Sequence, residues 1–415
     1  MKMLILGSGV IGTTSAYFLA SNGFEVEVID RAPACASETS RANGGQLSYS
    51  HAEPWANPHV LPKVFKWMFK EYAPLVFRPR WDPHMIRWGL SFLHNCMKYK
   101  ADANTVTMLK LGLYSKQMLE HIRNLTGVEF HNVREGILHI FYDQYTFDHA
   151  ISQARYQETF SCKQDILDGQ ACIRLEPALE YCGRDIVGGI HSPLDESGDA
   201  KLFTEQLAAL CEKEYGTVFQ YDTAVESIKT DKGKITSVQT SKGEFKADKY
   251  VMALGSYSYL HLRKLGIHVP IYPMKGYSVT IPANHYTPNM SLTDAEMKIV
   301  YSRLGDVMRV AGTAEFAGYN DSMNNKRVDN ILHAVQRLFP KCDFDQKIMT
   351  WACLRPSTPD GPPIIGKTKY ENLFLNTGHG TLGWTQAAGS GRLLLDIMID
   401  RETEISMTGL TLDRY

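Results

Sequence analysis

The chain has 415 residues, 44% of them hydrophobic and 21% charged, with a formal net charge of -1. That length exceeds one ordinary core, so two domains are expected, and the near-zero charge excludes a nucleic-acid binder held by phosphate contacts. The eight cysteines form no CxxC pair, and Cys162, Cys172 and Cys182 stand too far apart for a local metal knuckle; no metal is expected, and the thiols read as reduced, in a reducing compartment.

The N-terminal segment carries the strongest signal. The apolar run Lys2 to Leu6 reads as a buried strand, Gly7-Ser8-Gly9-Val10-Ile11-Gly12 follows at once, and Thr13 to Ala20 has the apolar spacing of a helix. A second strand, Glu25 to Ile29, ends in Asp30, 18 positions past Gly12. A glycine-rich turn between strand and helix, with an acid closing the next strand, is the dinucleotide-binding fingerprint in its proper context. Gly7 permits the tight turn, Gly9 the approach of backbone to a pyrophosphate, and Gly12 the packing of helix on strand. The helix N-terminus offers N–H groups and partial positive charge to the phosphates, and Asp30 can accept a hydrogen bond from a ribose hydroxyl. Lys2 with Met3 to Ala20 has the outline of a signal peptide, but cleavage there would remove the fingerprint, so none is expected. No run of about 18 apolar residues exists, so no transmembrane helix is expected either.

Residues 36–58 are irregular and polar around Asn43-Gly44-Gly45-Gln46, which makes either a loop lying against a cofactor or a plain surface loop. Residues 59–100 hold Trp67, Trp81 and Trp88 with further aromatics, interleaved with Lys63, Lys66, Lys70, Arg78, Arg80, Arg87, Lys98 and Lys100 against Glu71 and Asp82. Aromatics with excess cations suit a membrane interface; a buried core edge or a substrate lid fits the same residues. Helices are expected over 105–123, with Met108, Leu111, Leu119 and Ile122 inward, and over 201–215, with Phe203, Leu207, Leu210 and Cys211 inward. Three strands then turn at Asp231-Lys232-Gly233-Lys234 and Ser241-Lys242-Gly243-Glu244, and the strand Tyr250 to Leu254 runs into Gly255-Ser256, a second place for backbone to meet a nucleotide. Further strands over 271–281, 308–310 and 348–354 point to a second, mixed α+β domain.

The closing segment carries the second strong signal. Leu373 to Asn376 reads as a strand, Thr377-Gly378-His379-Gly380-Thr381-Leu382-Gly383 as a glycine-rich turn, and Trp384 to Ile399 as a helix in which Gly389 and Gly391 allow close packing. Its N-terminus is again aimed at something anionic. Two such sites at opposite ends of one chain point to a large cofactor spanning both. FAD fits, with its pyrophosphate at the first and its isoalloxazine at the second, where a positive helix end stabilises the reduced ring.

These segments resemble the D-amino acid oxidase superfamily of FAD-dependent oxidoreductases, and within it the small-subunit family of bacterial D-amino acid dehydrogenases. The carriers are Asn43 to Gln46, Ala56 to Pro58, Ala73-Pro74-Leu75, Ala253 to Ser258, Tyr272 to Ser278, Leu354 to Gly361 and Asn376 to Trp384, and the match runs from Met1 to Tyr415. Gly44 departs from the pattern, which more often has Ala there. The resemblance implies an α/β fold: a Rossmann-like FAD-binding domain over 1–60, 165–260 and 345–415, and a mixed-sheet substrate-binding domain over 61–164 and 261–344. It implies oxidative deamination of D-amino acids such as D-alanine to 2-oxo acids and ammonia, with hydride passing to flavin N5 and electrons onward to a quinone or another respiratory acceptor. It also implies a place on the cytoplasmic face, peripheral to the bacterial inner membrane. Its cofactor contacts fall on Gly7, Gly9, Val10, Ile11, Gly12, Asp30, Arg31, Arg41, Asn43, Gly44, Gly45, Gln46, Val225, Ala253, Gly255, Gly378, His379, Gly380, Thr381, Leu382 and Gly383.

Hydride transfer needs the substrate Cα–H held in a near-attack pose and a cation for the substrate carboxylate. Arg355 is the candidate, because a guanidinium grips a carboxylate bidentately and Pro356 biases it towards extended backbone. By its residues alone Arg355 could equally be a structural arginine paired with a carboxylate, and the resemblance favours the ligand reading; Tyr277 either offers its hydroxyl to the substrate or is an ordinary packed tyrosine, with Tyr49 and Tyr257 as weaker candidates. Rival readings are an oxygen-using glycine or sarcosine oxidase of the same superfamily, a flavin-bearing protein without turnover, and an NAD-dependent enzyme.

Overall fold

Strand Lys2–Leu6 is apolar from Met3 onward and can be covered on both faces, which suits the centre of a parallel sheet. In the computed structural model, which describes residues 1–50, 53–61, 73–78, 80–159, 162–344 and 348–415, it occupies such a place. The sheet runs Ile364–Lys367, Leu373–Thr377, Lys249–Met252, Lys2–Leu6, Glu25–Ile29, Val218–Gln220. Its neighbours are parallel, apart from the antiparallel edge pair Ile364–Lys367 and Leu373–Thr377.

Alternation along the central strand divides two cores. Met3 and Ile5 pack beneath helices Val10–Ala20, Lys98–Thr126, Ala200–Tyr215 and Gly383–Met398, whereas Leu4 and Leu6 pack on the side of the antiparallel meander Val225–Asp231, Lys234–Thr240 and Gly243–Phe245. The C-terminal helix touches two helices through glycines: a Cβ at Gly389 would stand 3.0 Å from Ser115, and one at Gly391 would stand 3.0 Å from Phe18. Helices Val10–Ala20 and Gly383–Met398 therefore lie side by side.

The second sheet is mixed and nine-stranded. Its path is Met349–Ser357, Tyr272–Pro282, Val307–Phe316, Ile299–Leu304, Ser291–Asp294, Ile137–Phe141, Gly188–Ser192, Asp165–Asp168, with Leu75–Phe77 added to Val307–Phe316. Helix Asn325–Leu338 covers one face, pressing Val328, Ile331, Val335 and Leu338 into a core with Tyr277, Val279 and Val310. Sheet membership crosses the expected domain boundaries. Asp165–Asp168, Gly188–Ser192 and Met349–Ser357 lie in segments assigned from sequence to the FAD-binding domain, yet they pair within the large sheet. Pairing is decided by backbone partners far away in the chain, which local pattern does not reveal.

The aromatic, cationic stretch divides in the same way. Lys63, Phe65, Lys66, Trp67, Phe69, Lys70 and Tyr72 lie outside the described residues. Beyond them, helix Pro83–Asn95 is capped by Asp82 and buries His84, Met85 and Trp88. Trp88 packs on Tyr272 and Phe316, and its indole N–H donates to Ser357 O at 2.9 Å. The opposite side exposes Ile86, Leu90 and Leu93, followed by Met97 and Tyr99, and Trp81 before the helix is 91% exposed. One face is core edge and the other is an exposed apolar stripe flanked by Arg87 and Lys98. No helix among the described residues is long and apolar enough to cross a membrane.

Candidate active site

The two strand–turn–helix units meet at one cavity. Gly7 leaves its strand at φ +107°, where a Cβ would stand 2.6 Å from Ala253 O, and a Cβ on Gly12 would collide with Gly7 O. The protein's own packing demands those two glycines. Gly9 is different, because a Cβ there would meet only Ser40 Oγ at 3.4 Å, an ordinary contact. Space at Gly9 is left for something other than protein. Gly9 supplies no side-chain cap to helix Val10–Ala20, although Ser40 Oγ accepts the Val10 N–H at 3.0 Å. Helix Gly383–Met398 likewise starts without a side-chain cap at Leu382. Gly7, Gly9, Val10 and Ile11 from the first unit, and Gly378, His379, Gly380, Thr381 and Gly383 from the second, line the same cavity of about 280 Å³.

Asp30, Arg31, Val225, Ala253, Gly255 and Tyr257 also line it. Asp30 Oδ2 accepts from Ser8 N–H at 2.6 Å and Ser8 Oγ at 2.8 Å, while Oδ1 accepts from Ala32 N–H at 2.9 Å and keeps a lone pair for a further donor. Arg31 pairs with Glu38 and lies over the Tyr257 ring, 3.8 Å from its centroid. Tyr257 lines the cavity beneath Arg31, and the backbone next to it is tied to the Arg355 strand by Ser256 Oγ donating to Leu354 O at 3.0 Å. Arg41 lies between the cavity-lining residues Ser40 and Ala42, with its exposed side chain over Trp351, another lining residue, at 4.7 Å.

The cavity meets a larger one of about 680 Å³, and the two share Asn43, Ala311, Arg355, Thr381 and Trp384. Gly44, Gly45, Gln46 and Leu382 line the larger cavity. Asn43 Oδ1 accepts from Gly45 N–H at 3.0 Å, Gly45 sits at φ +76°, and a Cβ on Gly44 would run into the Val300 side chain. Gln46 fastens the loop to the large sheet, its amide donating to Ser291 Oγ and Thr293 Oγ1 at 3.0 Å each.

Arg355 stands where the cavities join. Its guanidinium covers Gly276 on the neighbouring strand, so closely that a Cβ there would stand 2.7 Å from Nε. Among the described residues no acceptor or carboxylate pairs with it, and burial lowers its pKa from the ordinary arginine value. A guanidinium stays protonated in proteins, so the cation awaits an anion. The strand carrying it is tied to the glycine-rich turn, since Gly380 N–H donates to Pro356 O at 2.8 Å. His379 turns its ring inward to Ser390 Oγ at 3.0 Å, and burial pushes its pKa down to about 3. It is neutral at physiological pH and lines the cavity beside Gly380.

Two expected hydroxyls are elsewhere. Tyr277 lines the cavity, but its hydroxyl donates to Glu315 Oε2 on the core side of the sheet, where Arg78 and Lys275 also face that carboxylate. Burial with this acceptor beside it pushes the phenol pKa well up. Tyr49 is fully buried in the core beneath helix Lys98–Thr126 and lines neither cavity. Residues that local pattern did not single out complete the walls. Ser40 caps a helix 30 positions before it, and buried Arg309 donates to Thr280 Oγ1 at 2.6 Å and to Asn43 O at 3.3 Å, holding the loop from behind. Neither contact leaves a short-range signature.

An elongated cavity with two helix N-termini on it, a glycine left open and an unmatched cation beyond fits FAD. The comparisons agree. The family model described as FAD dependent oxidoreductase matches residues 2–397. The D-amino acid dehydrogenase of Paramagnetospirillum magneticum is 47% identical, covering 100% of this chain and 99% of that protein. The D-amino acid dehydrogenase of Dechloromonas aromatica is 46% identical over 97% of this chain and 98% of its own. Among solved structures, glycine oxidase from Geobacillus kaustophilus shares the fold with a TM-score of 0.78 at 19% identity, covering 100% of this chain and 98% of that one. With site, fold and relatives in agreement, the chain belongs to the FAD-dependent oxidoreductases of the D-amino acid oxidase type.

Proposed function

We infer that this oxidoreductase is a D-amino acid dehydrogenase: it oxidises D-amino acids, D-alanine among them, to imino acids that water converts to 2-oxo acids and ammonia. The observation that carries this reading is Arg355, a cation without a carboxylate partner at the junction of a cofactor-shaped cavity and a second, larger one. FAD, when bound, would supply the acceptor for the substrate Cα hydride. Gly9, Val10 and Ile11 hold the cofactor's pyrophosphate, Asp30 its ribose, and the turn 378–383 its ring end. Arg355 grips the substrate carboxylate and so fixes Cα, because orientation supplies much of the rate in a hydride transfer. The leaving amine proton goes to water, because burial makes His379 too weak a base to take it and its ring is engaged with Ser390.

The electrons pass to a quinone at the surface of the bacterial inner membrane. What supports this is the exposed stripe Ile86, Leu90, Leu93 and Met97 with Arg87 and Lys98 beside it, the residue pattern of an interfacial helix on an anionic bilayer. The test is the visible spectrum of the purified protein, followed anaerobically. Two flavin bands that bleach with D-alanine and not with L-alanine, and return on adding a short-chain quinone, are expected. Bleaching by glycine or sarcosine alone, with rapid return in oxygen, would overturn the reading in favour of an amine oxidase.

A further inference from the structure

Strand Val307–Phe316 carries a bulge where it faces Tyr272–Pro282. Gly276 pairs with Ala314 and Tyr277 with Gly312, which leaves Thr313 as an extra residue. Thr313 adopts φ +59°, a conformation that β-branched residues very rarely take. Its Oγ1 is shielded from solvent and has no hydrogen-bond partner. An orphaned hydroxyl costs stability, and a strained backbone persists only when its surroundings hold it. Thr313 bears both penalties on the wall of the larger cavity. The same bulge adjoins Gly276, the residue covered by the Arg355 guanidinium. Thr313 thus lies one strand, about 4.8 Å, from the glycine under the guanidinium, and both Thr313 and Arg355 line the larger cavity.

We propose that Thr313 is a second substrate-binding residue, whose hydroxyl donates a hydrogen bond to the carboxylate held by Arg355. The proposal rests on the carboxylate role of Arg355. A step between staggered χ1 wells carries the hydroxyl from the wall into the cavity. Arg355 supplies charge and Thr313 direction, so the carboxylate cannot swivel and the Cα–H keeps its aim.

The experiment compares FAD-loaded Thr313→Val, Thr313→Gly and Thr313→Ser with the parent protein. Propionate, a carboxylate without an amine, is titrated against the flavin spectrum, and KM and kcat are measured with D-alanine. Val removes the orphaned hydroxyl and Gly relieves the strain, so both variants are expected to keep FAD and to melt no lower than the parent. Both are expected to bind propionate about tenfold more weakly and to raise KM to match, as for a lost hydrogen bond to a charged group. Thr313→Ser is expected to bind propionate like the parent. Unchanged propionate binding in Thr313→Val while Arg355→Ala weakens it would overturn the proposal alone. Unchanged binding in Arg355→Ala would overturn the carboxylate site and the proposal with it.

Discussion

Arg355 contrasts with two arginines that hold carboxylates and with buried Arg309, whose donors go to Thr280 Oγ1 and Asn43 O instead. Arg123 holds Glu196 at 2.6 Å and Arg414 holds Asp360 at 2.7 Å, each consumed by a carboxylate. Arg355 holds none. Arg355→Ala is expected to keep its flavin and lose about 2–4 kcal/mol in kcat/KM for D-alanine, the scale of a broken desolvated charge pair; steady-state kinetics at matched flavin content check this. Gly276→Ala is a gentler probe, because the new Cβ displaces only the flexible end of Arg355. It is expected to fold, hold FAD and raise KM more than it lowers kcat, with a smaller loss than Arg355→Ala. A normal KM would mean that the guanidinium binds substrate from another position. At this scale the sequence pointed to the arginine, since Arg355-Pro356 implies an extended strand residue. It could not locate the Tyr277 hydroxyl, whose acceptor Glu315 lies 38 positions away on a paired strand.

Among the elements, the first glycine-rich turn separates two roles that sequence alone merges. A Cβ on Gly12 would collide with Gly7 O, whereas one on Gly9 would meet only Ser40 Oγ at 3.4 Å, as the proposed pyrophosphate site requires. Gly12→Val is therefore expected to fail in folding, whereas Gly9→Val should fold with near-parent circular dichroism and purify without flavin; full flavin occupancy in Gly9→Val would remove the pyrophosphate assignment. The helix Pro83–Asn95 makes a separate prediction. Leu90 and Leu93 are 64% and 49% exposed, so replacing both by Gln should leave Tm nearly unchanged, as surface substitutions generally do. Flotation with anionic vesicles should fall in that variant, and unchanged flotation would place the membrane contact elsewhere. Long periodic elements were legible in outline: the expected helix 105–123 is the interior of Lys98–Thr126, with the expected inward residues buried. The strands Ile137–Phe141 and Ser291–Asp294 were not, because their partners sit across the sheet, and helix Asn325–Leu338 was passed over although Val328, Ile331, Val335 and Leu338 carry helical spacing after the Asn324 cap.

The whole molecule stores a titratable group away from the site. Asp195 is fully buried, accepts from Ser50 N–H at 2.8 Å and Ser50 Oγ at 2.7 Å through Oδ1, and leaves Oδ2 without a partner. Burial pushes its pKa up to about 6 from 3.8. An acid whose folded pKa lies above its unfolded one binds more protons when folded, so stability falls as pH rises between about 4 and 6 and stays lower above. Asp195→Asn removes that dependence. Its Tm relative to the parent should therefore improve from pH 4 to pH 7, by an amount on the order of 2–3 kcal/mol in stability. A difference that does not vary with pH would show that Asp195 does not titrate in this range. His379 works the other way: its lowered pKa makes the fold lose stability as pH falls from 6.5 towards 3.

The chain's own order of residues determined the two glycine-rich turns, the alternation of the central strand, the helix that follows each turn and the arginine before Pro356. Each of these is written within a few neighbouring positions, where backbone freedom, side-chain period and capping act. Tertiary structure alone decided that both helix ends open on one cavity, that the Tyr277 hydroxyl turns to Glu315, that Asp165–Asp168, Gly188–Ser192 and Met349–Ser357 join the large sheet, and that a single bulge sets Thr313 next to Gly276, the residue under the Arg355 guanidinium. Those outcomes depend on strand register and on contacts between distant segments, which exist only once the chain has folded.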